Sequence, residues 1–237
     1  MTAPSASDFL ATNRGGGLLS EAIDQPIGAR IALAAYRRDL APTVLTLCNL
    51  ILGLATSIAI VALAGPMREH RVPALAVGLG ALILWHIAYQ FDCADGQLAR
   101  VAGKTSAAGA RLDILCDVAV QIALVVAVST VAWHYRTATP AWFIAAFAGT
   151  WMINLVTSVL ATGDKAQSLV TSQSVIVRVA KLSRDYGAMI TVLALAIALV
   201  PKWLIWVMVA LAAVNALFLL ASIAAAAKAS LRAPTHD

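Results

Sequence analysis

Four aspartates at regular spacing are the residues of this chain whose type and position could do chemistry. They are the only acidic residues between positions 69 and 164, and the segments around them are apolar enough to cross a membrane. Carboxylates at membrane depth are costly, so they persist where they line a polar cavity, pair with cations or bind metal. The candidate site therefore consists of Asp92, Asp95, Asp113 and Asp117.

Helical spacing would bring these carboxylates together. If the second apolar segment continues as a helix through the motif, its two aspartates fall on or near one face with Ala99 and Arg100. Gly109 and the last two aspartates follow at intervals of four residues and share a face of the next helix. Two such faces, opposed, would gather all four carboxylates around one cavity. Small residues would leave room there for a ligand or a close helix approach: Gly96, Ala99 and Gly109.

The ligand chemistry of such a cavity favours hard divalent cations. Carboxylate oxygens without His or Cys suit Mg²⁺ or Mn²⁺ and disfavour zinc. A pair of these cations would offset the negative charge and form the usual clamp for attack at phosphorus. A remaining carboxylate could deprotonate an acceptor hydroxyl. The residues alone thus predict phosphoryl or phosphodiester transfer at a membrane.

The local sequence also resembles a known signature. Asp-x-x-Asp-Gly-x-x-Ala-Arg, then eight residues, then Gly-x-x-x-Asp-x-x-x-Asp is similar to the motif of the CDP-alcohol phosphatidyltransferases, and every fixed position is present. These are integral membrane enzymes that transfer substituted phosphate groups. The resemblance extends more weakly to a six-helix layout with an N-terminal interfacial helix, and to residues 41–46 at the start of the first span.

The resemblance implies roles for the motif residues. Asp92, Asp95 and Asp113 would hold two divalent cations, with Asp113 bridging, while Asp117 would contact one cation and act as the base on the acceptor hydroxyl. The acceptor oxygen would attack the β-phosphorus of a CDP-linked alcohol, typically CDP-diacylglycerol, and release CMP. The residues implied in binding the CDP group are Gly96, Ala99, Arg100, Gly109 and Thr46.

The acceptor alcohol is left open by the sequence. A phosphorylated acceptor needs cations at the mouth of the site, and the candidates are Arg111, Lys165, Arg178, Lys181 and Arg184. The last four lie in a connection that must be basic for topology in any case. Val118 stands directly after the last aspartate, where many family members with phosphorylated acceptors carry Arg or Lys. Inositol phosphate, glycerol phosphate, serine, inositol and choline all remain candidates.

Composition predicts an all-α polytopic membrane protein. Of the 237 residues, 61% are apolar and 12% charged, against about 25% charged in soluble proteins, and the mean hydropathy is +0.84. The long apolar runs lack the alternation of barrel strands, so the spans should be helical. Six spans are predicted, roughly over residues 42–64, 73–91, 107–133, 140–161, 186–200 and 203–227.

Basic residues predict the orientation of these spans. Thirteen of the 17 Lys and Arg residues fall on the side of the two termini and the aspartate motif. The positive-inside rule then places the termini and the active site in the cytoplasm, with the chain in the cell membrane. Nucleic acid is not expected as a partner, because the basic side chains are dispersed and no aromatic platform accompanies them.

The chain divides into four predicted parts. Residues 1–17 have the composition of a disordered tail, and residues 18–41 are expected to form an interfacial juxtamembrane helix with Arg30, Arg37 and Arg38 toward the headgroups. Residues 42–228 would form the transmembrane catalytic domain, and residues 229–237 a cytoplasmic tail. His86, inside the second span, is expected to make an interhelical hydrogen bond.

A second class of function is a cation-coupled membrane transporter that binds its ion with the same aspartates. No internal repeat accompanies the motif, whereas many secondary transporters have matching halves. The family resemblance further implies a homodimer with one site in each protomer. The Ala- and Gly-rich third and fourth spans would permit such close packing.

Overall fold

The computed structural model describes residues 4–13, 17–160 and 185–231, and these are helical without any strand. The all-α polytopic prediction is confirmed, since four helices are long and apolar enough to cross a membrane and two shorter apolar helices accompany them. The helices are α1 (Ala6–Leu10), α2 (Gln25–Arg37), α3 (Pro42–Arg68), α4 (Ala74–Val101), α5 (Ala107–Tyr135), α6 (Ala141–Leu160), α7 (Tyr186–Leu199) and α8 (Leu204–Ser230).

The long helices begin where local chemistry allows a start. Pro42 lies in the first turn of α3, where its missing N–H costs nothing, and Ser106 caps α5 by accepting a hydrogen bond from the Gly109 amide at 3.0 Å. Helix α4 continues without a break from Ala74 through the first part of the motif, residues 92–100, to Val101. That continuity is what gives the motif its helical spacing.

Two apolar clusters lie at different levels of the bundle. The larger cluster contains residues of all six helices from α3 through α8, including Trp85 of α4. The smaller cluster joins α1, α2, α3 and α4 through residues such as Phe9, Leu45 and Leu98. Helix α4 contributes to both clusters, and the polar residues His86, Gln90 and Asp92 lie on it between them. Large apolar side chains such as Ile51 remain exposed on the outer surface, as lipid contact requires.

The N-terminal region differs from the predicted disordered tail. Helix α1 begins with a hydrogen bond from the Ser5 amide to Asp8 Oδ2 at 2.8 Å, and Phe9 is completely buried against Tyr36 and its neighbours. One buried aromatic side chain offsets the ordering of a short polar segment, which composition does not reveal. Where the interfacial helix was predicted, a π-helical turn, Ser20–Asp24, continues into α2. Its place at the membrane interface stays a prediction. The predicted domain boundaries at 42 and 228 stay predictions.

Candidate active site

Helices α4 and α5 bring three of the four aspartates together. Asp92, Asp95 and Asp113 each offer a carboxylate oxygen, and these oxygens all lie within 4.8 Å of one another. Asp92 and Asp95 are one turn apart on α4, and Asp113 faces them from α5. The opposition of two helix faces that the spacing predicted is therefore present.

Asp117 lies one turn after Asp113 and completes the cluster from the side. Its carboxyl group is close enough to Asp92 and to Asn49 on α3 for their side chains to act on it. It does not belong to the set of three oxygens that converge most closely. The arrangement is thus three converging carboxylates with a fourth acid beside them.

Helix α3 supplies hydrogen-bond donors to these acids. Thr46 Oγ1 donates to Asp95 Oδ2 at 2.5 Å, and Asn49 Nδ2 donates to Asp92 Oδ1 at 3.4 Å. Both α3 side chains are buried, so their polar groups depend on these contacts. The sequence analysis linked Thr46 to the nucleotide and did not single out Asn49. The available signal was that Asn49, in an apolar helix, shares a face with Thr46 three residues before it.

The residues present fit a divalent cation. Asp113 Oδ1 is buried and has no hydrogen-bond partner among the described residues. Two donors on α3 and the nearby Arg100 cannot balance three or four converging carboxylates when these are ionised, because each ionised acid brings a full negative charge. An all-oxygen set of this kind matches the preference of Mg²⁺ or Mn²⁺.

Comparison with known proteins agrees with this donor set. The sequence model of the CDP-alcohol phosphatidyltransferase family matches residues 39–219, most of the chain. The chain belongs to this family. It is therefore an enzyme that transfers substituted phosphate groups, which sets aside the transporter alternative. No curated protein matches the chain.

The family's small motif residues have specific neighbours. Side-chain atoms of Arg100 lie 3.0 Å from the position that a Cβ on Gly96 would occupy, so the guanidinium folds back over that glycine. Arg100 is also close enough to Asp113 for its charge to act on that carboxylate. For Gly109 the nearest atom to such a Cβ would be Ser106 Oγ, the cap of α5. Ala99 is half-buried on the same stretch of α4.

The predicted acceptor residues are only partly described. Arg111 is exposed on α5, two residues before Asp113. A separation of two residues places it on a different face of α5 from Asp113. The other candidates lie outside the described residues: Lys165, Arg178, Lys181 and Arg184.

Proposed function

We propose that this family member transfers a phosphatidyl group from CDP-diacylglycerol to the hydroxyl of a small polar acceptor and releases CMP. The observation that carries the proposal is the convergence of three carboxylate oxygens from Asp92, Asp95 and Asp113, with Asp117 beside them. When bound there, two Mg²⁺ or Mn²⁺ ions would neutralise phosphate charge and stabilise the attacking and leaving oxygens.

Asp117 is the residue that we assign as general base. It stands outside the tightest set of oxygens, which leaves it an oxygen for a proton. It would accept the proton of the acceptor hydroxyl as that oxygen attacks the β-phosphorus of the donor. A new phosphorus–oxygen bond forms, the diphosphate bond breaks, and CMP leaves. Asn49, in range of Asp117, would hold its carboxylate in the orientation for this transfer.

Arg100 is the residue that we assign to the diphosphate. Its guanidinium lies over Gly96 and near Asp113, at the edge of the carboxylate cluster. From there it would donate hydrogen bonds to diphosphate oxygens, which a planar guanidinium does well. Gly96, Ala99 and Gly109 would let the nucleotide approach the helices closely.

The acceptor stays within the set named from the sequence. Arg111, Lys165, Arg178, Lys181 and Arg184 are the candidates to bind a phosphorylated acceptor, while Val118 after Asp117 favours one without a phosphate. We further propose that the site and both termini face the cytoplasm of the cell membrane and that the enzyme is a homodimer. Cysteine labelling from each side and cross-linking in membranes test these two points.

An acceptor panel tests the proposed reaction. Purified protein is supplied with Mn²⁺ or Mg²⁺ and CDP-diacylglycerol, and CMP release is measured with inositol phosphate, glycerol phosphate, serine, inositol or choline. Release that depends on one acceptor and stops with EDTA supports the proposal. Silence with every acceptor counts against the donor or the reaction.

Asp117→Asn tests the assignment of the base. Turnover should fall by roughly a thousandfold or more while binding of the CDP group is largely retained, because the amide cannot take a proton. CMP release and nucleotide titration provide the two measurements. Asp39→Asn, at an exposed acid just after the end of α2, is the matched control. Normal turnover in Asp117→Asn would refute the assignment.

A further inference from the structure

A second buried polar cluster lies beside the carboxylate cluster. It joins the π-helical turn before α2, the middle of α4 and the start of α7. We call it the N-terminal clamp, and its members are Ser20, Asp24, His86, Gln90, Asp185 and Thr191. Two of these are acids with almost no exposure, Asp24 at 0% and Asp185 at 1%.

Asp185 caps two helical segments at once. Its carboxylate accepts from the amides of Leu19, at 2.7 Å, and Ser20, at 3.3 Å, where the N-terminal helical segment starts. It also accepts from the Ala188 amide at 3.3 Å, in the first turn of α7, and from the Ser20 hydroxyl. A Cβ on Gly17 would collide with the Asp185 side chain, so a glycine is needed for this approach. The carboxylate thereby ties together chain segments that are 165 residues apart in sequence.

Asp24 begins a chain of hydrogen bonds that crosses three elements. Its Oδ1 lies 2.8 Å from His86 Nδ1 and accepts from Gln90 Nε2 at 3.3 Å. His86 Nε2 lies 2.8 Å from Thr191 Oγ1, and that hydroxyl donates to the Gly187 carbonyl at 2.7 Å. The interhelical hydrogen bond predicted for His86 is confirmed, and it links α4 to both the N-terminal turn and α7.

Tyr186 connects this clamp to the carboxylate cluster. It follows Asp185 directly, and its ring packs edge-on against Tyr89 with 5.0 Å between centroids. Tyr89 lies one turn before Asp92 on α4, and its hydroxyl donates to Ser20 Oγ at 3.1 Å. Tyr186 is close enough to Asp92 and Asp117 for their charges to act on its hydroxyl group.

We propose that Asp24 and Asp185 are positioning residues for the transfer reaction, because their clamp holds Tyr186 as a wall of the catalytic cavity beside Asp92 and Asp117. Buried ionisable groups are a weak way to gain stability, since apolar residues of similar volume hold helices at least as well. A network of directed hydrogen bonds does fix one relative position of three elements, which apolar packing does less sharply. The proposal rests on the proposed function, in which that cavity is the active site.

A paired substitution separates positioning from stability. Asp24→Leu combined with His86→Leu replaces the polar contact by an apolar one and leaves no unpaired charge. Its melting temperature should fall by no more than a few degrees, because only the Gln90 amide loses an acceptor. At the same time kcat should fall about tenfold, since a small misplacement of reacting groups is enough for such a loss. Trp85→Phe is the matched control, because Trp85 lies on α4 like His86 but outside the clamp. The substitution removes the buried hydrogen bond from Trp85 to Ser57 of α3. An unchanged kcat in the folded paired variant would overturn the proposal.

Tyr186→Ala shows whether the clamp acts through Tyr186. Alone it should lower kcat to a similar extent, and combined with the paired leucines it should add little further, because both changes remove the same wall. If the fold-changes in kcat of the separate variants multiply in the combined variant, the two effects are independent, and the link between the clamp and Tyr186 is overturned. Should the paired variant fail to fold, Asp24→Asn combined with Tyr186→Ala makes the same comparison.

The labelling rate of a cysteine thiol tests the clamp without a measurement of turnover. Gly28 of α2 lies against Cys93 of α4, with 2.9 Å between the Cys93 Cβ and the position of a Cβ on Gly28. The measurement uses a background in which Cys48 and Cys116 are replaced by Ala. A maleimide should label Cys93 about tenfold faster in the paired leucine variant than in wild type or Trp85→Phe, because α2 is held less firmly and opens more often. Equal labelling rates would overturn the clamp. A wild type that releases no CMP but keeps this difference in labelling would refute the proposed function instead.

Discussion

The two buried acidic regions of this protein differ in how their charges are satisfied. In the N-terminal clamp, Asp185 accepts from three backbone amides and a hydroxyl. Asp24 Oδ1 contacts both His86 and Gln90, while Asp24 Oδ2 has no hydrogen-bond partner among the described residues. In the carboxylate cluster, Asp92 and Asp95 receive one donor each from α3, and Asp113 Oδ1 has none among the described residues. Acids that each have two or more hydrogen-bond partners in the protein hold the fold, whereas three carboxylates that converge within 4.8 Å with few donors prepare a place for cations.

Substituting a cluster acid should give the largest effect. Asp113→Asn should lower CMP release by roughly a thousandfold or more, because a converging ligand is lost. In EDTA, however, the variant should be at least as stable as wild type, since one charge is removed from a crowded set. Adding Mn²⁺ should raise the melting temperature of wild type and leave that of the variant unchanged. A variant less stable than wild type in EDTA would mean that the protein already satisfies this acid, and the comparison would fail.

A clamp acid should lose stability rather than metal binding, with turnover falling only about tenfold. Asp185→Ala should lower the free energy of unfolding by about 1 to 4 kcal/mol, the sum of two lost helix caps. Asp185→Asn keeps a capping oxygen and should lose less, which makes it the matched control. Both variants should retain the increase in melting temperature with Mn²⁺. Loss of that increase would show that the two regions are not separable.

The α3 donors should give an intermediate effect. Asn49→Leu and Thr46→Val leave every carboxylate in place but remove a hydrogen bond that orients one. Turnover or metal affinity should fall about 10- to 100-fold, the usual cost of losing a partner of a metal ligand. Ser57, on the same helix but paired with Trp85, supplies the control Ser57→Ala, for which turnover should stay near wild type. If Asn49→Leu leaves turnover and the Mn²⁺ titration unchanged, α3 does not orient the cluster.

An exposed ion pair should give the smallest effect. Lys104 Nζ donates to Asp39 Oδ1 at 2.7 Å, and this hydrogen bond, with the charge of Lys104, lowers the pKa of Asp39 below 3.8. A lowered carboxylate pKa adds stability that is present at neutral pH and is lost as the pH falls below 3.8. Asp39 has φ of 50°, which Asn adopts readily, so Asp39→Asn removes the charge alone.

The corresponding measurement compares melting temperatures of wild type and Asp39→Asn from pH 7 to pH 3. A small advantage of wild type at pH 7 should shrink in acid and in high salt, because exposed pairs are screened. An advantage that grows as the pH falls would contradict the assigned direction of the pKa.

Much of the carboxylate cluster was predictable because it is local. Asp92 and Asp95 share one helix, Asp113 and Asp117 share the next, and helical periodicity alone orients each pair. The partners of these acids were less predictable. Thr46 was predicted as a site residue from its place in the family pattern, but its contact with Asp95 depends on how α3 crosses α4. The residues around Asn49 do not indicate that Asp92 is its neighbour.

The clamp was missed as a unit for the same reason. From its local sequence, Asp24 is expected at the start of a helix, and Asp185 near the start of the fifth span. Each interpretation is correct for its own segment. Their common role appears only because a turn near residue 20 meets the start of α7, 165 positions away. The ordered α1 is a similar case, since burial of Phe9 requires surfaces from other helices.

The sequence by itself determined the membrane class, the helices and the grouping of acids into two faces, since composition and periodicity act within single segments. Only the tertiary structure decided which donors reach those acids, how closely the acids converge, and that Tyr186 comes close enough to Asp92 and Asp117 for their charges to act on it. Those outcomes depend on how whole helices pack against one another, and a hydrogen bond between distant segments exists only after that packing has brought them within about 3 Å.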